Sequence, residues 1–288
     1  MSERVCNGLW PITVCVLAMS VCLAIPVWGK SSPVDIVNTM VARELDAQAH
    51  KEQFDYLSVE RSDRTGGRAW TEHVVETPLG RVRFLIAEDG KPLSANRDAQ
   101  ERGRLAYDLA NPLAFEAREK AQKDDEAHAR QMLELLPKAF LLENMREEGS
   151  DWRIDFRPSP NYSPSGIEEK ILYGMNGYLL INRSQLRLHA IEGSMPRDVN
   201  IGFGFLATIH AGSSFSSLKA PFYGQWRTVH VLGDIRGKAA LFKSIAKNQD
   251  VTRSQFHRLS VPLTLAQAVA LAEQPSLPCG GALSSPDS

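Results

Sequence analysis

Apolar and polar positions along this chain alternate in two rhythms. Val34, Val37, Met40, Val41 and Leu45 recur at helical spacing. Ser32, Pro33 and Asp35 form a start signal just before them: a hydroxyl that can cap, a proline suited to the first helical position and an acid where the helix dipole favours one. A helix is therefore expected to about Ala49. From Phe54 the period becomes two. Phe54, Tyr56 and Ser58 alternate with Asp55, Leu57 and Val59. Trp70, Glu72 and Val74 alternate with Thr71, His73 and Val75, and Val82, Phe84 and Ile86 with Arg81, Arg83 and Leu85. Thr65-Gly66-Gly67 and Pro78-Leu79-Gly80 separate these runs, which predicts an antiparallel meander of three strands.

Residues 94–136 return to helical spacing and carry much charge. Pro112, after Asn111, should split them into two helices, because proline lacks a donor and disfavours helical geometry in the residue before it. The run from Lys120 to Glu126 reads as a solvated face. Strands are expected again at 139–146 and 152–157 around a loop at 147–151. Trp152, Ile154 and Phe156 alternate there with Arg153, Asp155 and Arg157, one buried face against one wet one. A short helix to Tyr173 follows, then a hairpin of Tyr178–Asn182 with Leu186–Ile191. Further strand-like runs occupy 198–203, 214–220, 225–234, 238–247 and 252–260. Thr264 and Gln267 form a capping box that opens a last helix through Ala272.

This order predicts an α+β fold with one antiparallel sheet of about 10–11 strands, covered by helices. Open twisted sheets of more than ~10 strands tend to curl, so the expected form is an unclosed half-barrel with helices over its concave face. The expected organisation is a leader at 1–29, one domain over 30–274 with a helical insertion at 94–136, and a disordered tail at 275–288.

The leader rests on the apolar stretch Ile12–Ile25, short of the ~20 residues a spanning helix needs and ended by Pro26. Val27 and Gly29 suit cleavage before Lys30, which predicts a periplasmic or secreted protein; an uncleaved N-terminal membrane anchor is the alternative. Cys6, Cys15 and Cys22 fall within this segment, leaving Cys279 as the one cysteine of the mature chain and excluding an internal disulfide.

Charge narrows the function classes. Lys+Arg (33) and Asp+Glu (34) nearly cancel, which argues against a nucleic-acid-coating protein. The seven histidines are scattered and form no His-Glu-x-x-His, so no metal site is predicted. Ala211-Gly212-Ser213-Ser214-Phe215 lacks the second glycine of a nucleophile elbow. Gly202-Phe203-Gly204-Phe205 lacks the third glycine and the Lys-Ser/Thr of a phosphate loop. Arg153, Arg157, Arg183 and Arg187 could form a basic strip on adjoining strands, or serve as ordinary solubility charges. No catalytic residue and no cofactor is predicted, and the chain reads as a non-enzyme.

Three passages carry a family likeness: Asp151–Pro158, Met175–Arg183 with Leu186–Ile191, and Gly237–Lys243. The central hairpin resembles that of the periplasmic lipoprotein-carrier superfamily, the LolA, LolB and LppX type. The resemblance implies an unclosed antiparallel barrel with helices plugging its mouth and an apolar concave surface that accepts acyl chains. The insertion at 94–136 departs from that pattern. Parity along the strands nominates Phe54, Tyr56, Trp70, Phe84, Ile86, Trp152, Ile154 and Phe156 as ligand-binding residues of such a surface, or as core beneath the helices. The expected partner is a lipid or a lipoprotein acyl chain. A second reading is an envelope scaffold with a filled sheet, working through a protein partner and binding no ligand.

Overall fold

The structure, a computed structural model, describes residues 31–201, 207–239 and 243–274. The expected leader, the tail from 275 and the Gly202–Phe205 segment lie outside them. Ser32 opens α1 (Pro33–Ala49): its hydroxyl accepts the Asp35 backbone N–H while the Asp35 carboxylate accepts from the Ser32 backbone, a complete capping box. The meander follows as β1 (Phe54–Ser62), β2 (Ala69–Glu76) and β3 (Arg81–Glu88), then a two-residue β4 (Lys91–Pro92). The charged insertion forms α2 (Ala95–Ala110) and α3 (Pro112–Ala139), broken at Asn111 with Pro112 in the first turn of the second helix.

β5 (Phe140–Glu148), β6 (Asp151–Pro158), α4 (Ile167–Tyr173), β7 (Asn176–Asn182) and β8 (Leu188–Ser194) continue the chain. Two three-residue strands, β9 (Val199–Ile201) and β10 (Ala207–Ile209), precede β11 (Ser214–Phe222), β12 (Gln225–Ala239), β13 (Lys243–Arg258) and α5 (Leu265–Ala272). Thr264 caps α5 in a box with Gln267, as its sequence implies.

The fold is α+β with thirteen strands in one unclosed antiparallel sheet, ordered β4-β3-β2-β1-β13-β12-β11-β8-β7-β6-β5, with β10 on β12 and β9 on β10. The first and last long strands lie side by side at its middle. The strand count exceeds the expected 10–11 because β4 and β10 are too short for period two to register, whereas β9 falls within the run expected at 198–203. One boundary is corrected in the other direction. The runs expected at 225–234, 238–247 and 252–260 are two long strands, not three. Gly237 is no turn: a Cβ there would lie 2.5 Å from the Thr208 carbonyl oxygen, so the glycine permits the close approach of β10. Asn248–Asp250 are ladder residues, paired to Asp234, Gly233 and Leu232.

The helices do not all lie on the concave face. α1 and the end of α3 pack there against β5–β8, through Val37, Met40, Leu136, Ile154, Leu179 and Ile181. α5 and α2 pack instead on the opposite face of β2 and β3, where Val75, Val82 and Phe84 meet Leu105, Leu265 and Val269. The exposed sheet edges are managed on both sides. Arg104 of α2 donates to the Arg83 carbonyl on one edge. On the other, β5 carries a bulge between Glu143 and Arg146, with Asn144 in left-handed geometry.

Candidate functional site

α1 and α3 fill the concave face over β5–β8 but not over β1–β3 and β11–β13. What remains is a partly open cavity of about 1420 Å³ between sheet and helices. Its two ends differ in chemistry. Toward β8, β11 and α3 it is apolar, lined by Leu133, Leu136, Leu172, Leu188, Ile191 and Phe215. Toward β1–β3 and β13 it is charged, because the inward parity of these strands places Glu60, Glu72, Glu76, Arg81, Arg83 and Arg253 on the wall.

Most of these charges are paired. Arg64, on the β1–β2 turn, grips Glu60 at 2.7 Å and Glu72 at 2.8 Å. Burial alone would lower the Arg64 pKa, but the hydrogen bonds to both carboxylates raise it. Burial would raise the Glu60 carboxyl, and bonds from Arg64 and Ser62 hold it below the usual range. Glu72 also faces Arg83 at 3.4 Å. Glu76 accepts the Phe54 backbone N–H at 3.1 Å and a bond from Arg227, whose guanidinium lies 4.6 Å from the Phe54 ring centre. Arg81 pairs with Glu126 of α3, and its backbone N–H donates to Glu119 at 3.0 Å. Glu126 belongs to the run read as solvated; it turns inward because Arg81 and Lys51 wait at the cavity wall. Burial pushes the Lys51 ammonium down, against the pull of Glu76 and Glu126. At the apolar end Glu44 of α1 takes Arg187 and Lys219, which hold its carboxyl below the usual range although burial opposes them.

The eight residues nominated by parity are not brought together. Tyr56 and Trp70 line the cavity. Phe54 stands behind its wall, fully buried with Phe256, Tyr56 and Val74. Phe84 and Ile86 pack on the opposite face under α5. Trp152, Ile154 and Phe156 belong to the filled core beneath α1 and α3. The expectation of a uniformly apolar concave surface is corrected by the same parity. On β3 the apolar set Val82, Phe84 and Ile86 meets a helix, so Arg81, Arg83 and Leu85 face the cavity. The signal for this was present: Arg81 and Arg83 share one parity, as do Glu72 and Glu76 on the paired strand. A strand with one charged face reads as half wet, and here the wet side is an internal cavity.

Arg153, Arg157 and Arg183 pair with Glu148, Glu143 and Glu147, while Arg187 turns to Glu44, so no free basic strip forms. The strand histidines meet acids too: His189 lies against Asp151 (2.7 Å) and His230 against Asp250 (2.9 Å), while His73 (3.1 Å) and His257 (3.4 Å) share Asp55. Among the described residues no group of three or more His, Cys, Asp or Glu is placed to hold a metal ion. No described helix is long and apolar enough to cross a membrane. No family model, curated protein or solved structure matches the chain.

Proposed function

We propose that this is an exported, non-enzymatic binding protein that carries a lipid, an acyl chain or the acylated part of a partner inside its half-barrel. The observation that supports this reading is the unfilled space under α1 and α3. At about 1420 Å³ it exceeds the ~300–1,000 Å³ of clefts that hold drug-sized ligands. Its apolar end suits hydrocarbon. Burying a chain of about 14 carbons at ~0.8 kcal/mol per CH₂ is worth on the order of 10 kcal/mol before the costs of association. Such a ligand needs few directed contacts, which accords with a chain bearing no catalytic motif. The unclosed sheet and helical roof accord with the lipoprotein-carrier resemblance at the level of architecture. A scaffold with a filled sheet lacks this support, since its interior would leave no such space.

The test is native mass spectrometry of protein purified without detergent, together with titration of a fluorescent fatty-acid probe. Co-purified lipid and saturable probe binding are expected. A protein that arrives empty and leaves the probe in solution overturns the reading.

A further inference from the structure

Among the arginines that the strands and their turns bring to the cavity wall, Arg253 of β13 differs from its neighbours. Arg64, Arg81, Arg83, Arg187 and Arg227 each have a carboxylate partner. The Arg253 side chain makes no hydrogen bond and no ion pair with any described residue. Its guanidinium lies 5.8 Å from the centre of the Tyr56 ring. The side chain is half-buried, and the surface it retains faces the cavity. Guanidinium stays charged under all ordinary conditions, and one that faces a cavity without a carboxylate partner is free to take an anion there. Burial, with Arg81 and Arg83 close by, duly pushes its pKa down.

The surroundings of Arg253 supply no anion to meet it. Ser58, its partner across the β1–β13 ladder, is small and buried. Glu76 attracts it from a distance, but that carboxylate is already taken by Arg227 and the Phe54 N–H. Glu72 is taken by Arg64 and Arg83. Tyr56 is 2 % exposed, lines the cavity, and its hydroxyl makes no hydrogen bond with any described residue. It lies within the electrostatic reach of both Arg81 and Arg253. An unused phenol donor and an unmatched guanidinium therefore share the charged end of the cavity, opposite its hydrocarbon-like end.

We propose that Arg253 and Tyr56, flanked by Arg81 and Arg83, form a subsite for an acidic head group, a carboxylate or phosphate, whose chain lies toward Leu136, Leu188 and Ile191. This rests on the proposed carrier function for the chain, but not for the anion. A planar, five-donor guanidinium matches the paired oxygens of either acid, and a low-dielectric site strengthens that contact. The ligand is then an acidic amphiphile, and a neutral lipid is discriminated against because it would leave Arg253 unmatched.

The experiment uses the full chain with palmitate, hexadecyl phosphate, hexadecanol and inorganic phosphate as probes, comparing the unaltered protein with Arg253→Met and Tyr56→Phe. Palmitate or hexadecyl phosphate should bind at least tenfold more tightly than hexadecanol. Arg253→Met should abolish this preference by weakening the two acids, and Tyr56→Phe should reduce it. A cooperative thermal transition of the ligand-free Arg253→Met protein shows that the variant folds. Equal affinity for acid and alcohol, or a preference that survives in Arg253→Met, overturns the subsite and leaves the carrier reading standing. If no chain binds, the carrier reading fails and inorganic phosphate decides the subsite. A phosphate-induced rise in Tm that Arg253→Met loses supports an anion site, and no such rise overturns it.

Discussion

Glu44 of α1 accepts a 2.6 Å hydrogen bond from Nε of Arg187, a residue 143 positions further along the chain. The same carboxylate accepts the Leu188 backbone N–H at 3.2 Å and engages Lys219 of β11. One buried acid thus fastens the helix roof to two strands that flank the apolar end of the cavity. Removing it leaves two cations facing each other without their counter-charge. Glu44→Ala should therefore destabilise the protein by about 3–5 kcal/mol, and Glu44→Gln by less. Urea denaturation reads this as a lower midpoint at unchanged slope. A shift below about 0.5 kcal/mol would show that the roof is held elsewhere.

The same pair sets a pH dependence. Burial alone would raise the Glu44 carboxyl, but Lys219 and Arg187 outweigh it and hold the group below its ordinary value of 4.5. The folded protein then binds fewer protons here than the unfolded chain does. The stabilisation is complete above the unfolded value and is lost as pH falls through the lower folded one. Glu60, held down by Arg64 and Ser62 against burial, adds in the same sense. Stability should fall steeply below about pH 4.5, and the Glu44→Gln variant should show a shallower fall. Parallel profiles for the two proteins would remove Glu44 from the explanation.

Gly177 and Gly193 face each other across β7 and β8. A Cβ at Gly177 would lie 1.8 Å from the Glu192 carbonyl oxygen and 2.7 Å from the Phe156 ring. The backbone cannot yield without disturbing the hairpin and the core beside it. Gly177→Ala should lower stability by about 1–3 kcal/mol or more, the usual range for overpacking. In thermal unfolding of a domain this size each kcal/mol moves Tm by roughly 2–4 °C. An unchanged Tm would mean that the strands are spaced more loosely than this register requires.

Phe84 and Leu85 are neighbours on β3 with opposite fates. Phe84 packs under α5, and Leu85 looks into the cavity. Phe84→Ala should cost about 3–5 kcal/mol of stability while leaving fatty-acid probe affinity unchanged at a temperature where the variant is folded. Loss of probe binding in a folded Phe84→Ala protein would place this residue on the ligand side.

Much of the architecture was legible in the chain. The change from period 3.6 to period two at Phe54, the caps at Ser32 and Thr264 and the break before Pro112 all appear where local pattern puts them. These signals are short-range: a cap, a proline or an alternation acts within a few residues, so no distant contact is needed to read it. The strand boundaries of the β12–β13 hairpin were not legible. Gly237 looks like a turn residue until β10 lies against it, and Asn248–Asp250 look like loop until Leu232–Asp234 pair with them.

The candidate site shows the same division more sharply. Alternation along β3 establishes that Val82, Phe84 and Ile86 share one face and Arg81, Arg83 and Leu85 the other. It says nothing of what each face meets. That was decided by α5, whose Leu265 and Val269 take the apolar face, and by α3, which meets the charged one through Glu119 and Glu126 at Arg81. A pleated strand has two sides by covalent geometry alone; which of them becomes core and which becomes binding wall depends on helices elsewhere in the chain, and only packing brings those into place.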